Sequence, residues 1–330
     1  MIRSNLAIIT TINDIQDTYI KRFTNYEYDC IVVGDIKTPS ETYKNLSNIH
    51  YIESECKVFS ELSDKLPFNH YCRKNLGYLH AVKQGAKIIL DTDDDNFLTG
   101  DMLDWRTLQY EKVLGESIPN ILTRFTDHHI WSRGYPIELV NKSQSITTDR
   151  ILPDDINNVG IIQSLVDGDP DVDAIFRLTS NAFDSDFQFK KGIGFIFNKQ
   201  IFTQGNTQAT LWISPELFHL LYIPTTVSFR FCDILKMYIA QRCMWEYNKL
   251  FAVTSPYFYQ KRNAHDYMKD FNSEVSMYKC LHELLTTVLP KIKLNGDKED
   301  LIRVYEKLAK HNIVKDTEIV TAKQFIKLTN

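Results

Sequence analysis

The sequence is poor in the residues that interrupt regular structure. It has 12 Gly and 10 Pro in 330 residues, too few for collagen-like, linker-rich or low-complexity architecture. It has no closely paired cysteines. The six, at positions 30, 56, 72, 232, 243 and 280, never fall two to four residues apart, which excludes a zinc knuckle and predicts buried, reduced thiols. No stretch approaches the ~20 apolar residues of a membrane span. The N-terminal apolar run Leu6–Ile12 is too short for a signal peptide and reads as a first strand. There is no excess of positive charge either: 38 Lys and Arg stand against 42 Asp and Glu, a formal net charge of -4. A chain whose main task is to coat nucleic acid is thereby excluded. Together these absences predict a soluble cytoplasmic protein, at most peripheral to a membrane.

Several catalytic signatures are missing as well. The chain has no GxxxxGK[ST] phosphate loop, no GxSxG elbow and no HExxH helix. Gly192-Ile-Gly194 lacks the third glycine of a dinucleotide fingerprint, because Phe197 stands there. Asp167–Asp173 looks like a calcium loop, but Val172 and Leu178 occupy the positions that need Gly and Glu. His128 and His129 are adjacent and face opposite sides of an extended chain, which argues against a shared metal.

What is present is an ordinary globular balance, 43% hydrophobic and 24% charged, in a chain long enough to bury roughly three quarters of its unfolded surface. The first hundred residues alternate between strand and helix periodicity. Strands are expected at Leu6–Ile12, Tyr28–Val33, Ile49–Ile52 and Ala86–Leu90. Helices are expected up to about Phe23, over Pro39–Tyr43, and over Asn69–Gly85 with Asn69 as N-cap. Such alternation predicts an α/β fold with a mostly parallel sheet flanked by helices, whose ligands bind beyond the C-terminal strand ends. The middle of the chain is less regular, with short strand-like pieces at Ile121–Phe125 and Gly192–Phe197. Helical patterns follow at Ile234–Tyr247, Ser273–Leu289 and Lys298–Lys310. The division expected is a main domain over 1–255 and a C-terminal helical extension over 256–330.

The acidic run Asp91-Thr-Asp-Asp-Asp95 closes the fourth strand. Its carboxylates repel one another and need a cation, basic neighbours or free solvation. Alternate side chains at a strand end converge, so Asp91 with Asp93, or Asp93 with Asp95, suit Mg²⁺ or Mn²⁺ with positions left for phosphate oxygens; the plain alternative is a solvated acidic loop. Arg73 and Lys74 stand in the first turns of a helix, where cations oppose the dipole and a nearby anion relieves them. Asp35 lies at another strand end, placed to accept hydrogen bonds from a base or ribose. Asp233 opens a helix and is either an N-cap or a general base for an acceptor hydroxyl.

In this order along the chain, Val32–Pro39, Arg73–Ala81, Gly85–Asp94, Gly168–Leu178, Asn206–Thr210, Thr226–Ile234 and Ala240–Trp245 resemble the STELLO glycosyltransferase-like domain, over roughly residues 5–250. Arg133–Pro136, Pro170–Asp173 and Arg230–Asp233 resemble, more distantly, the reversibly glycosylated polypeptides, whose relatives are UDP-arabinopyranose mutases. The resemblance implies a GT-A-type fold, a nucleotide-sugar donor (a UDP-sugar above all) and a glycan or lipid-linked acceptor. It also implies Mn²⁺ or Mg²⁺ on a DxD motif at Asp91 and Asp93, with Asp95 a further ligand. By the same resemblance Asp35, Arg73, Lys74, Asn75 and Asp91 bind the nucleotide sugar. Arg133, Arg230 and Trp245 bind acceptor or sugar, and Asp233 is the base of an inverting transfer. Gln241, Arg242 and Trp245 have a spacing similar to that of processive glycan synthases. A mutase working through glycosylation of Arg133 is the alternative, but Val140 stands where that family carries its second arginine. A non-catalytic scaffold of the same fold is a third.

Overall fold

The structure is a computed structural model describing residues 4–329 apart from 16, 45, 47–48, 116–117, 143–144, 181–186 and 263–264. In its N-terminal part, β1 (Asn5–Thr11), β2 (Asp29–Gly34), β3 (Ile49–Ile52) and β4 (Ile88–Asp93) lie in the order β3-β2-β1-β4, every pair parallel. The interior residues of β1, β2 and β4 are buried in unbroken runs, as expected for strands covered on both faces. The sheet then continues through strands supplied later: β5 (Asn96–Leu98), β6 (Gln109–Leu114), β7 (Thr147–Arg150), β8 (Val159–Asp167), β9 (Ile193–Phe197), β10 (Thr210–Trp212) and β11 (Leu250–Gln260). From β4 the order runs β10-β8-β11-β9-β6-β7, with β5 paired to β11. β10 is antiparallel to both β4 and β8, so the sheet is mixed. The α/β architecture with flanking helices is compatible with a GT-A-type fold.

The helix Lys74–Lys83 connects β3 to β4 and has seven of its ten residues buried. It lies so close to the sheet that a Cβ on Gly77 would sit 2.7 Å from Cγ2 of both Ile8 and Val33. Gly77→Ala is therefore expected to cost about 1–3 kcal/mol through overpacking. Chemical denaturation measures this, and an unchanged midpoint would mean that the helix lifts off freely.

Two local expectations are corrected. Ile121–Phe125 is not a strand; Leu122–Phe125 is a short helix, because a five-residue apolar run carries no periodicity that separates the two. Asn69 does not cap its helix. It adopts φ 53, and the side chain of His70 takes the cap, Nδ1 accepting from the backbone N–H of Cys72 at 3.1 Å.

The boundary expected between 255 and 256 falls inside β11, a strand bonded to β5, β8 and β9. One core cluster also joins Leu6 and Leu76 to Ile239, Leu284, Tyr305 and Phe325. The helices Tyr267–Glu283, Asp300–Lys310 and Thr317–Leu328 therefore pack into the main body rather than beside it. Glu318, fully buried on the last of them, accepts hydrogen bonds from the backbone N–H groups of Thr225 and Thr226 at 3.0 and 2.7 Å, and one from the Tyr222 hydroxyl. That carboxylate fixes the loop leading to Phe229 and Asp233. The six thiols are unbridged, and five are buried.

Candidate active site

A cleft of about 380 Å³ opens at the C-terminal ends of β1, β2 and β4, where Thr11, Asp35, Tyr71, Asp93, Asp95 and Phe229 contribute to its walls. This is where a parallel sheet leaves room for a ligand. Of the four aspartates of the motif, Asp91 and Asp93 lie on one face of the strand and share Lys74, while Asp94 and Asp95 stand in the turn that follows. Asp91 is fully buried beneath the cleft, with Lys74 Nζ at 2.8 Å on one oxygen, and Lys236 Nζ at 3.0 Å and the Tyr78 hydroxyl on the other. Each oxygen is ion-paired to a lysine, and Asp91 is not among the residues lining the cleft, so it supports the site from below. Asp93 stands at the floor, where Oδ1 accepts from Lys74 Nζ at 2.8 Å and from the Thr10 hydroxyl at 3.1 Å. Asp94 ties β1 to β4 through the Thr11 hydroxyl at 2.6 Å and Asn13 Nδ2 at 2.8 Å. Asp95 accepts from Gln260 Nε2 at 2.9 Å at the end of β11.

Burial, reinforced by the charges of Asp95 and Asp91, pushes the Asp93 carboxyl up to about 7 although Lys74 opposes the shift. Burial likewise raises Asp95. A pair of adjacent carboxylates that resist ionising is what a divalent cation would relieve. Asp93 and Asp95 are hard oxygen donors of the kind Mg²⁺ or Mn²⁺ takes, and phosphate oxygens would complete the shell. Among the described residues no group of three or more His, Cys, Asp or Glu converges as a metal cage, so the protein alone would supply a partial ligand set.

Other expected ligand contacts turn out to be internal. Lys74 is fully buried and also bonds the carbonyls of Thr92 and Thr207. Despite burial, Asp91 and Asp93 hold its ammonium above the usual range. The anion that the helix start called for is thus the protein's own. Arg73 is buried with its guanidinium on the carbonyls of Ser54, Ser63 and Leu66. Asn75 pairs with both backbone groups of Ile223. Lys74 and Asn75 point into the fold because their helix buries most of its circumference, whereas Arg73, in the turn before it, also contributes to the cleft wall. Asp35 does reach the cleft, its carboxylate held by the backbone N–H groups of Ile36 and Asn69, each at 2.7 Å. Beside it the rings of Tyr71 and Phe229 stack at 4.1 Å, with Phe229 38% exposed.

A second charged cluster joins residues far apart in sequence. Arg133 forks onto Asp233 (2.8 and 2.7 Å) and onto Asp171 (3.0 and 2.8 Å), and also bonds the Arg230 carbonyl at 2.5 Å. Burial works against both charges, yet the pairing holds Arg133 above and Asp171 below their usual ranges. Asp233 thus faces Arg133. Arg230 is taken up by Glu274 at 2.7 Å, which makes it a positioning group. Arg133 and Asp171 border a smaller pocket of about 50 Å³ with Gln163, Asn206 and Gln208. Trp245 lies elsewhere. It follows the helix Cys232–Met244, twelve residues beyond Asp233 and so about 18 Å along the axis.

Lys236, Thr10, Asp171 and the Tyr71–Phe229 pair were not singled out from sequence as site groups. Lys236 had a signal: a lysine in a helix with no polar face needs a buried carboxylate partner.

No family model matches the chain. Two curated proteins of Arabidopsis thaliana are similar to it: "Probable glycosyltransferase STELLO1", 25% identical over 280 residues, and "Probable glycosyltransferase STELLO2", 23% identical over 280 residues. Each match covers 78% of this chain but 36% of the relative, so the chain spans about a third of the length of the proteins it matches. Among the described residues no helix is long and apolar enough to cross a membrane. The chain is accordingly similar, at a distance, to the STELLO-type glycosyltransferase-like proteins.

Proposed function

We propose that this protein transfers a glycosyl group from a nucleoside-diphosphate sugar, a UDP-sugar in the first instance, to a hydroxyl of a glycan or lipid-linked acceptor. The observation that carries this reading is the cleft at the ends of β1, β2 and β4, whose floor presents Asp93 and Asp95 beside the stacked Tyr71 and Phe229. The aromatic pair offers a face to a nucleobase, and Asp35 accepts hydrogen bonds from base or ribose. Asp93 and Asp95 would hold Mn²⁺ or Mg²⁺, which when bound neutralises the charge of the departing diphosphate. Lys74 and Lys236, beneath, keep the Asp91–Asp93 strand end in place against its own repulsion. Asp233 is the candidate base for an inverting transfer. In that role one of its oxygens turns from Arg133 to the acceptor hydroxyl.

The mutase alternative finds no support in the geometry. Arg133 is buried, and all three of its side-chain nitrogens donate to protein oxygens, which leaves no nucleophilic position for a sugar. Two measurements test the reading. Melting curves with UDP-, GDP- and dTDP-sugars, with and without Mn²⁺, are expected to show a metal-dependent rise for one of them; no rise for any would remove the donor assignment. Asp233→Asn is expected to lower turnover about 100-fold while nucleotide affinity stays within about twofold. Full turnover in that variant would reject Asp233 as base and leave the donor site untouched.

A further inference from the structure

Behind the helix Cys232–Met244, at the end remote from Asp233, lies a second cavity of about 740 Å³. It shares no lining residue with the cleft, and its size falls inside the roughly 300–1,000 Å³ typical of small-molecule sites. Trp245 and Phe202 form its inner wall, their rings 4.8 Å apart and tilted by 46°. Lys199, Gln200, Glu246 and Thr286 are exposed at its margin, so it opens to solvent.

The wall also contains an unusual backbone. The helix Tyr267–Glu283 does not simply continue; it widens into a π turn over Leu284–Val288, and Leu285 and Thr286 of that turn face the cavity. Such turns are rare and occur frequently at functional sites, because they displace side chains that a regular helix would keep in register.

The chemistry of the lining selects a ligand class. A phosphate or carboxylate needs uncommitted cationic donors, yet Arg242 points its guanidinium at the carbonyls of Leu289 and Ile292 and at Glu246. That pairing cancels the charges of Arg242 and Glu246, and Lys199 is left as a single solvent-exposed ammonium at the margin, not a cradle of cationic donors. A wholly apolar ligand would displace water from the polar side chains of the lining, among them Gln200 and His282, without replacing its hydrogen bonds. A neutral sugar chain fits both halves. Its C–H faces lie on aromatic and aliphatic surface, and each hydroxyl both donates and accepts toward amide, carboxylate, imidazole and hydroxyl groups. We infer that this cavity is a saccharide-binding site separate from the cleft, taking a neutral glycan chain. The inference does not depend on the donor site or on catalysis.

Calorimetric titration of the full chain with cellotetraose, chitotetraose, maltotetraose and xylotetraose, in the absence of nucleotide and metal, tests it. At least one tetraose is expected to bind saturably. Thr286→Tyr, which fills the cavity from an exposed position, and Trp245→Leu are each expected to weaken that binding at least tenfold. Asp93→Asn should leave it unchanged, and the melting temperature of Thr286→Tyr shows that the fold is retained. Absence of binding by all four sugars, binding indifferent to Thr286→Tyr, or displacement by UDP would each overturn the proposal. So would preferential binding of inorganic phosphate or of an acyl probe at the same cavity. A negative result with the sugars and a positive melting shift with a nucleotide sugar would reject this site alone.

Discussion

Replacing Arg133 by Leu is expected to destabilise the protein by about 3–5 kcal/mol, a fall in melting temperature of roughly 4–7 °C for a chain of this size. Arg133 is 5% exposed and is the shared partner of Asp171 and Asp233, themselves almost wholly enclosed. Its removal takes from Asp233 the one ion-pair partner it has among the described residues and leaves Asp171 with Arg262 alone, at 3.7 Å. The cost arises from those orphaned acids, since a buried ion pair adds little net stability but is expensive to break on one side only. The triple variant R133L/D171N/D233N should therefore recover most of the loss. Arg133→Lys should fall between, because an ammonium keeps the charge but cannot fork onto two carboxylates. Thermal unfolding of the four proteins decides the matter, and a triple variant no more stable than R133L would place the loss in packing instead.

Asp93→Asn is expected to abolish the metal-dependent part of nucleotide binding and to lower transfer by about 10³-fold, equivalent to about 4 kcal/mol of lost charge stabilisation. Asp94→Asn is the contrast, since that side chain serves Thr11 and Asn13, and it should cost less than tenfold. The same substitution has a signature in stability that needs no substrate. The Asp93 carboxyl titrates near 7 in the folded chain against 3.8 ordinarily. Between those values the folded state binds more protons than the unfolded one, so this group makes stability fall as pH rises from about 4 to 7. Above pH 7 the loss is complete, and it amounts to no more than about 4 kcal/mol. In metal-free buffer the wild-type chain should thus lose stability relative to Asp93→Asn across that window, and Mn²⁺ with nucleotide should narrow the gap. Parallel curves from pH 4 to 8 would contradict the buried setting of Asp93.

The strands and the acidic corner were legible because both are local. Apolar runs at β1, β2 and β4 carry their own signal, and an aspartate cluster after a strand points to the sheet end where ligands gather. The partners were not legible. The dipole argument at Lys74 correctly demands an anion, but the sequence leaves open whether that anion is a phosphate or Asp91 and Asp93, 17 and 19 residues away. The Arg133–Asp233 fork spans 100 positions, and nothing near either residue announces the other. Trp245 shows the opposite limit. A motif shared by Gln241, Arg242 and Trp245 fixes their spacing on a helix, while the helix's placement carries Trp245 away from the cleft. The division at residue 255 cuts β11 for a related reason: a helical composition after that point describes local structure, whereas the core is shared.

The Glu318 carboxylate behaves toward Thr225 and Thr226 as a captive anion would, an acetate delivered on a leash. Its tether makes the local abundance of that anion millimolar or greater. A fragment ending at residue 310 would surrender those amides to water, slackening the strap that presents Phe229 and Asp233 even though neither side chain had been touched. Activity in such a fragment would then hinge on adding back the missing piece as a peptide, at concentrations set by the severed leash.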